Sequence, residues 1–265
     1  MTHYLALALA ALRLQFATWK QYRVDYTAGV LTVLLEQVLT LVLFAVIFAQ
    51  VPQVRGWTFT EMLVLYGLNR MALGLADTLG ESLWWVGSYA QDGSLLLYKL
   101  RPLGVLFQLL TERIHFERIS GCLTGLILVL HGASAAGLEW TAGKVVTVLL
   151  FVLLGAFIYL GLMILGAAVA MRVIGNLDAI TTLWSLTEFA KYPLPIFGRT
   201  GAFLLTFVVP LALTGYVPAA LLLDGHTHTA DSVPLVGAVV AAGVFFGLCL
   251  LAWSWALRTY EGTGN

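Results

Sequence analysis

Charges set inside apolar runs are the places where this 265-residue chain could do chemistry. Glu36, followed by Gln37, and Arg70, preceded by Asn69, each stand well within such a run. A charge at mid-bilayer costs about 2.5–3.5 kcal/mol on insertion scales, so it faces protein or water. By the rise of a helix, Glu36 and Arg70 would lie roughly 14 and 20 Å from the inner ends of their runs, and tilt can close that gap. They are expected to pair, with Gln37 and Asn69 adding hydrogen bonds. Such a pair either lines a substrate path, where an unpaired Glu36 would attract a cation, or fixes helix register. Buried pairs are often architectural, which favours the second reading. Glu188 and Lys191 stand at i,i+3 and can pair along one helix face. Asp77 and Glu81, one turn apart near the inner end of their run, read as interfacial rather than catalytic.

Other chemistries find little support. No Gly-x-Ser-x-Gly and no His-Glu-x-x-His string occurs, so no catalytic residue is assigned and the chain is not read as an enzyme. A phosphate-binding loop needs Gly-x4-Gly-Lys-Ser/Thr. The nearest string runs from Gly137 to Gly143-Lys144-Val145; it has one residue too many, lacks the hydroxyl, and reads as an outer turn. Nucleotide and magnesium, if used, must belong to another chain; no cofactor is expected on this one. His226, His228 and Asp231 make at best a weak zinc site, and no metal is assigned. Cys122 and Cys249 lie inside apolar runs and read as small hydrophobes. The 14 basic and 14 acidic residues cancel, leaving no field to recruit nucleic acid.

The elements that hold these residues follow from composition. The chain is 60% hydrophobic and 11% charged, with a mean hydropathy of +0.91. One soluble core could not hide that surface, so lipid is the expected solvent. The runs are about twenty residues long and do not alternate, which indicates helices rather than a barrel. The fold class is an all-α membrane protein, one transmembrane domain over residues 1–265. Spans are expected at about 27–50, 59–83, 118–137, 143–172, 178–197 and 234–257. Residues 3–23 carry Leu5, Leu9, Leu12, Phe16 and Trp19 at helical spacing among basic residues, the pattern of an interfacial helix. A basic n-region is missing before Leu12, so a cleaved signal peptide is not expected. Residues 201–223 are apolar but interrupted by Pro210, Gly215 and Pro218, which suggests a re-entrant hairpin rather than a seventh span.

Placing the N-terminus inside puts Arg13, Lys20, Arg23, Lys99, Arg101, Arg113, Arg118, Arg172 and Arg258 on the inner side, against Arg55, Lys144, Lys191 and Arg199 outside. The positive-inside rule then favours both termini in the cytoplasm, which an even span count satisfies. The inner loop 84–117 opens on Trp84-Trp85 and carries a short helical stretch after Pro102, a residue suited to a first turn. Gly121-x3-Gly125 and Gly243-x3-Gly247 allow close helix approach, although the pattern is frequent by chance in apolar segments.

The string Asp92-Gly93-Ser94-Leu95-Leu96-Leu97-Tyr98-Lys99-Leu100-Arg101-Pro102-Leu103 resembles the cytoplasmic loop of type-2 ABC exporter permeases. Phe189-Ala190-Lys191-Tyr192-Pro193, then Phe207-Val208-Val209-Pro210 and Tyr216-Val217-Pro218-Ala219, resemble that family's fifth span and outer re-entrant hairpin. The wording is most similar to the bacterial viologen- or multidrug-exporter-like branch, and the resemblance covers essentially the whole chain. It implies a half-transporter in the bacterial inner membrane: two permease chains, identical or paralogous, above two ATPase subunits. It implies that Lys99, Arg101, Pro102, Leu106, Phe107 and Arg113 couple to the ATPase. It places Glu188, Lys191, Tyr192, Pro193, Pro210, Tyr216 and Pro218 near an outer gate. The cargo would be lipophilic or amphipathic, cationic drug-like molecules included, with lipids as neighbours. The competing readings are an ATP-independent carrier and a membrane-embedded enzyme with a polar site around Glu36 and Arg70.

Overall fold

The computed structural model describes residues 23–173, 178–223 and 235–260. The interfacial stretch before Arg23 and the His226, His228 and Asp231 group lie outside the described residues. Everything regular among the described residues is helical, apart from an isolated bridge between Val54 and Trp57. In chain order the α-helices are α1 (Arg23–Gln50), α2 (Phe59–Gly80), α3 (Val86–Gln91), α4 (Leu95–Leu100), α5 (Val105–Glu112), α6 (Ile119–Ala135) and α7 (Ala142–Arg172). Then come α8 (Asp178–Trp184), α9 (Gly198–Phe203), α10 (Tyr216–Leu222) and α11 (Leu235–Arg258). Among the described residues, four helices are long and apolar enough to cross a membrane: Arg23–Gln50, Phe116–Ala135, Ala142–Arg172 and Val239–Arg258.

α2 is different. It carries Glu61, Asn69, Arg70 and Asp77, yet it is the most enclosed of the long helices among the described residues, buried continuously from Met62 to Gly74. Polar groups that lipid would reject are tolerated because other helices surround them. Its start is well defined: Thr58 and Glu61 form a capping box, with the Thr58 N–H donating to Glu61 Oε2 at 2.8 Å. A tight turn precedes it. Arg55 and Gly56 take positive φ, and Val54 and Trp57 exchange backbone hydrogen bonds of 2.9 and 3.0 Å.

Glycines set how closely the partners approach. A Cβ on Gly125 would sit 2.6 Å from the Gly67 carbonyl oxygen, one on Gly74 2.6 Å from Cys122 N, and one on Gly132 2.7 Å from the Thr60 carbonyl oxygen. These meetings run in opposite order along the two chains, so α2 and α6 cross antiparallel, backbone against backbone. α7 lies on the other side of α2, parallel to it, through Gly155 against Ala72 and Gly80 against Met163. α11 packs on α7 at Gly161 beside Phe245 and Phe246. Gly121 lies against the Arg70 side chain. Gly243 and Gly247, by contrast, face open space. Of the two Gly-x3-Gly strings, only the first is a packing device.

The segment 178–197, expected as one span, is irregular. α8 passes at Ser185 into a 3-10 helix, Ser185–Lys191, and the chain breaks at Tyr192-Pro193 before another short 3-10 stretch, Leu194–Phe197. Beyond α9, a π-helical turn (Leu204–Val208) ends at Pro210, a 3-10 turn (Leu211–Thr214) follows, and α10 begins after Gly215. The first half of this stretch is largely exposed, whereas Leu211–Leu222 is almost wholly buried. Trp57 packs on Tyr216 with ring centroids 5.5 Å apart, tying this part to the turn before α2. The Gly137–Lys144 string is a turn and a helix start, with the Lys144 N–H donating to Thr141 Oγ1 at 3.3 Å.

Because the contacts at Gly125 are with backbone atoms, they cannot be relieved by a rotamer change. Gly125→Ala should lower stability by about 1–3 kcal/mol. Gly243→Ala should stay within about 0.5 kcal/mol of the parent. Thermal unfolding in detergent measures both; equal midpoints for the two variants would contradict the glycine contact.

Candidate functional site

The polar groups singled out in the sequence converge. A cleft of about 550 Å³ lies between α1, α2, the start of α6 and the 3-10 helix Ser185–Lys191. Glu36, Thr40, Tyr66, Asn69, Arg70, Asp77, Glu81, Trp84, Arg118, Trp184, Thr187, Glu188 and Lys191 all line it. Residues expected to form two separate groups, Glu36 with Arg70 and Glu188 with Lys191, thus share one cavity. Trp184, Thr187, Glu188 and Lys191 are spaced i, i+3, i+4 and i+7, so they share one helical face and line the cleft together.

The expected Glu36–Arg70 pair is not made: no contact within 4.0 Å joins them, and each stands without an ion-pair partner among the described residues. Glu36 sits on the exposed side of α1 while Arg70 is enclosed at 8% exposure. The cavity lies between them: α1 meets the bundle near its start, where Gly29 abuts Glu117, and again where Phe44 packs on Tyr66 and Tyr192, with the cleft in between. Nor do Gln37 and Asn69 serve that pair. Gln37 Oε1 accepts from Thr124 Oγ1, joining α1 to α6. Asn69 donates to the Tyr159 hydroxyl and, at 3.0 Å, to Thr214 Oγ1. That buried triad links α2, α7 and the Leu211–Thr214 turn. The sequence offered no signal for it, since Tyr159 and Thr214 lie in unrelated apolar runs.

Two ion pairs do form at the cleft. Lys191 Nζ meets Glu188 Oε2 at 2.6 Å, as the spacing indicates. Arg118 Nη2 meets Glu81 Oε1 at 2.9 Å, closing the end of α2 onto the start of α6. Trp84 and Trp184 pack edge to face at 5.1 Å beneath them. The remaining residues expected near an outer gate lie elsewhere. Tyr192 packs on Phe44 at 5.9 Å, beside Pro193 in an apolar recess. Pro210, Tyr216 and Pro218 are buried in the segment that leans on Trp57 and α2.

The 84–117 loop folds into α3, α4 and α5 and is braced internally. Gln108 Nε2 donates to the Tyr98 and Leu103 carbonyls at 2.8 and 2.9 Å. The Tyr98 hydroxyl donates to Glu112 at 2.7 Å; burial, then that hydrogen bond, pushes its pKa well above the ordinary tyrosine value, so it remains a donor. Lys99 is turned back into the protein. Its ammonium donates to the Leu257 and Tyr260 carbonyls at 3.2 and 3.1 Å, where a cation satisfies the end of α11. The Tyr260 hydroxyl donates to the Ala90 carbonyl at 2.8 Å. Arg101, Pro102 and Arg113 are exposed and Leu106 and Phe107 half-buried. The most exposed apolar residues of the loop are Leu97 and Leu100, the latter 81% exposed, which helical spacing alone did not single out.

A family model described as ABC-2 family transporter protein matches residues 34–264. The chain belongs to the ABC-2 transporter family. No curated protein and no solved structure matches it. As an ABC-2 protein it is a multi-pass transmembrane permease of an ABC transporter, a transport component rather than a catalytic enzyme, in a family that normally works with an ATPase partner. No group of His, Cys, Asp and Glu suited to a metal ion occurs among the described residues.

Tyr159→Phe removes one of the two acceptors that Asn69 uses in the buried triad. It should cost about 1 kcal/mol, within the range measured for polar contacts between membrane helices, and lower the thermal midpoint by about 2–4 °C. An unchanged midpoint would mean the triad carries no stability.

Proposed function

We propose that this ABC-2 permease is one half of the membrane domain of an ATP-driven exporter in a bacterial inner membrane, closest to the viologen- and multidrug-exporter-like branch. Two permease chains, identical or paralogous, would stand over two ATPase subunits that hold ATP and magnesium. The cargo is a lipophilic or amphipathic molecule moved outward through the cleft that Glu36, Asn69 and Arg70 line. The carrying observation is the cleft itself, which is polar within and bordered on its open side by the exposed apolar face of α1. An unpartnered face of that kind, beside charges that lipid would not accept, fits a surface completed by a second permease. In this reading six passes bring both termini to the cytoplasmic side, and residues 201–223 form the outer re-entrant gate. Arg23 lies at the same end of the bundle as Glu117, and Arg258 as Arg172 and Lys99, an arrangement consistent with that count.

Coupling would run through the 84–117 loop. The exposed Leu97 and Leu100, flanked by Arg101 and Pro102, form a compact apolar knob with basic surroundings, suited to a cleft in a soluble partner. Arg113, Leu106 and Phe107 border it. Lys99 has the different task of fastening the loop to the end of α11, so that a push on the loop reaches the last helix.

Affinity purification in mild detergent, with mass spectrometry of what stays bound, tests the assembly. A stoichiometric ATPase is the expected result, and its absence across several detergents would sink the exporter reading. Leu97→Asp with Leu100→Asp should lower ATPase recovery by about tenfold or more, as removal of two interface anchors would. Lys99→Met should leave recovery intact while lowering cargo moved per ATP hydrolysed; wild-type transport in that variant would remove Lys99 from the coupling path.

A further inference from the structure

Resting on the reading of the cleft as the transport path, we propose that its cargo is a zwitterionic amphiphile, with an anionic oxyacid group held by Arg70 and a neighbouring cationic group held by Glu36. Charge accounting leads there. Glu81 is matched by Arg118 and Glu188 by Lys191. What remains in the cavity is one guanidinium, Arg70, facing the carboxylates of Glu36 and Asp77 without touching either.

Arg70 is more than nine-tenths buried, and its Nε–H has no hydrogen-bond partner. A buried donor left unmade is costly, more so when charged, and a planar guanidinium is matched best by a carboxylate or phosphate. A second unanswered donor lies next to it. Arg70 Nη2 and Gln37 Nε2 stand 3.5 and 3.8 Å from the same point, the position a Cβ on Gly121 would take, and Gln37 Nε2 is also without a partner. Turning the Gln37 amide over would offer its oxygen toward Nη2 but leaves Nε unanswered. Gln37 does not line the cleft, whereas Arg70 does, so it is the guanidinium of Arg70, through its terminal nitrogens, that can take an acceptor from a cargo.

The mouth asks for the reverse. Glu36 is exposed on α1 and carries no counter-charge within 4.0 Å. A purely cationic ligand would be matched by Glu36 and Asp77 but would set a like charge beside Arg70, which no ion pair among the described residues neutralises. A purely anionic one would do the opposite. A molecule bearing both charges answers both ends. Leu39, 61% exposed and itself lining the cleft, continues the lip into the apolar face of α1, where a hydrocarbon tail can lie.

The test uses the purified permease with its ATPase in nanodiscs and three probes sharing one tail: dodecylphosphocholine, dodecyltrimethylammonium and dodecyl phosphate. Wild type should bind the phosphocholine most tightly. Arg70→Gln should weaken dodecylphosphocholine and dodecyl phosphate by about tenfold or more, the scale of one lost charge-assisted bond, and leave dodecyltrimethylammonium unchanged or tighter. The exposed Glu36→Gln, which does not disturb the buried site, should weaken dodecylphosphocholine relative to dodecyl phosphate. An unchanged preference in Glu36→Gln, an unchanged phosphocholine affinity in Arg70→Gln, or wild-type preference for the pure cation overturns the proposal. Phosphocholine without a tail separates the sources: comparable binding marks a soluble zwitterion, and a need for the tail marks a lipid-like one, either of which supports it. Thr40→Trp fills the cleft. If none of the three probes responds to it, the path reading itself fails; if all respond but Arg70→Gln changes nothing, the path stands and only the zwitterion falls.

Discussion

The structure depends on enclosing α2. That helix carries Asn69, Arg70 and Asp77 in a stretch that hydrocarbon would reject, and no backbone or side-chain polar group can rely on water there. Enclosure needs close neighbours on more than one side. α6 supplies one through backbone contact at Gly67 and Gly125, and α7 supplies another through Gly155 and Gly80. With these three helices set, the Asn69–Tyr159–Thr214 triad has its geometry, and the Leu211–Leu222 stretch can bury itself against α2.

The side of α2 that is not enclosed becomes the cleft. α1 meets the bundle near its start, through Gln37, and again through Phe44, and between these contacts it leaves a polar cavity separating Glu36 from Arg70. The short 3-10 helix Ser185–Lys191 closes the opposite wall. It contributes Thr187, Glu188 and Lys191, which with Trp184 fall on one helical face. The residual space is polar inside and apolar at its lip.

At the opposite end from the Trp57 turn, the 84–117 loop is less a free arm than a braced unit. Gln108, Tyr98 and Glu112 hold it together, and Lys99 and Tyr260 fasten it to the last helix. Hydrogen bonds from a cation to the terminal carbonyls of a helix join the loop to the end of α11. The exposed leucines of α4 are left as the part a partner can reach.

Composition and run length were enough, from the sequence alone, to determine a helical membrane protein, because hydrophobic transfer is additive along a chain and does not depend on which helix packs on which. The ABC-2 resemblance was legible for the same reason: its strings are local. The pairing at Glu188 and Lys191 was legible because i,i+3 neighbours meet on a helical surface whatever surrounds them. The partners of Asn69 and Gln37, and the lack of one for Arg70, were not. Tyr159, Thr214 and Thr124 lie far off in sequence, and whether a carboxylate reaches a guanidinium depends on angstrom differences in helix crossing. Those crossings were decided by tertiary contact, where Gly125 found a backbone to touch and Gly243, in the same kind of motif, found none.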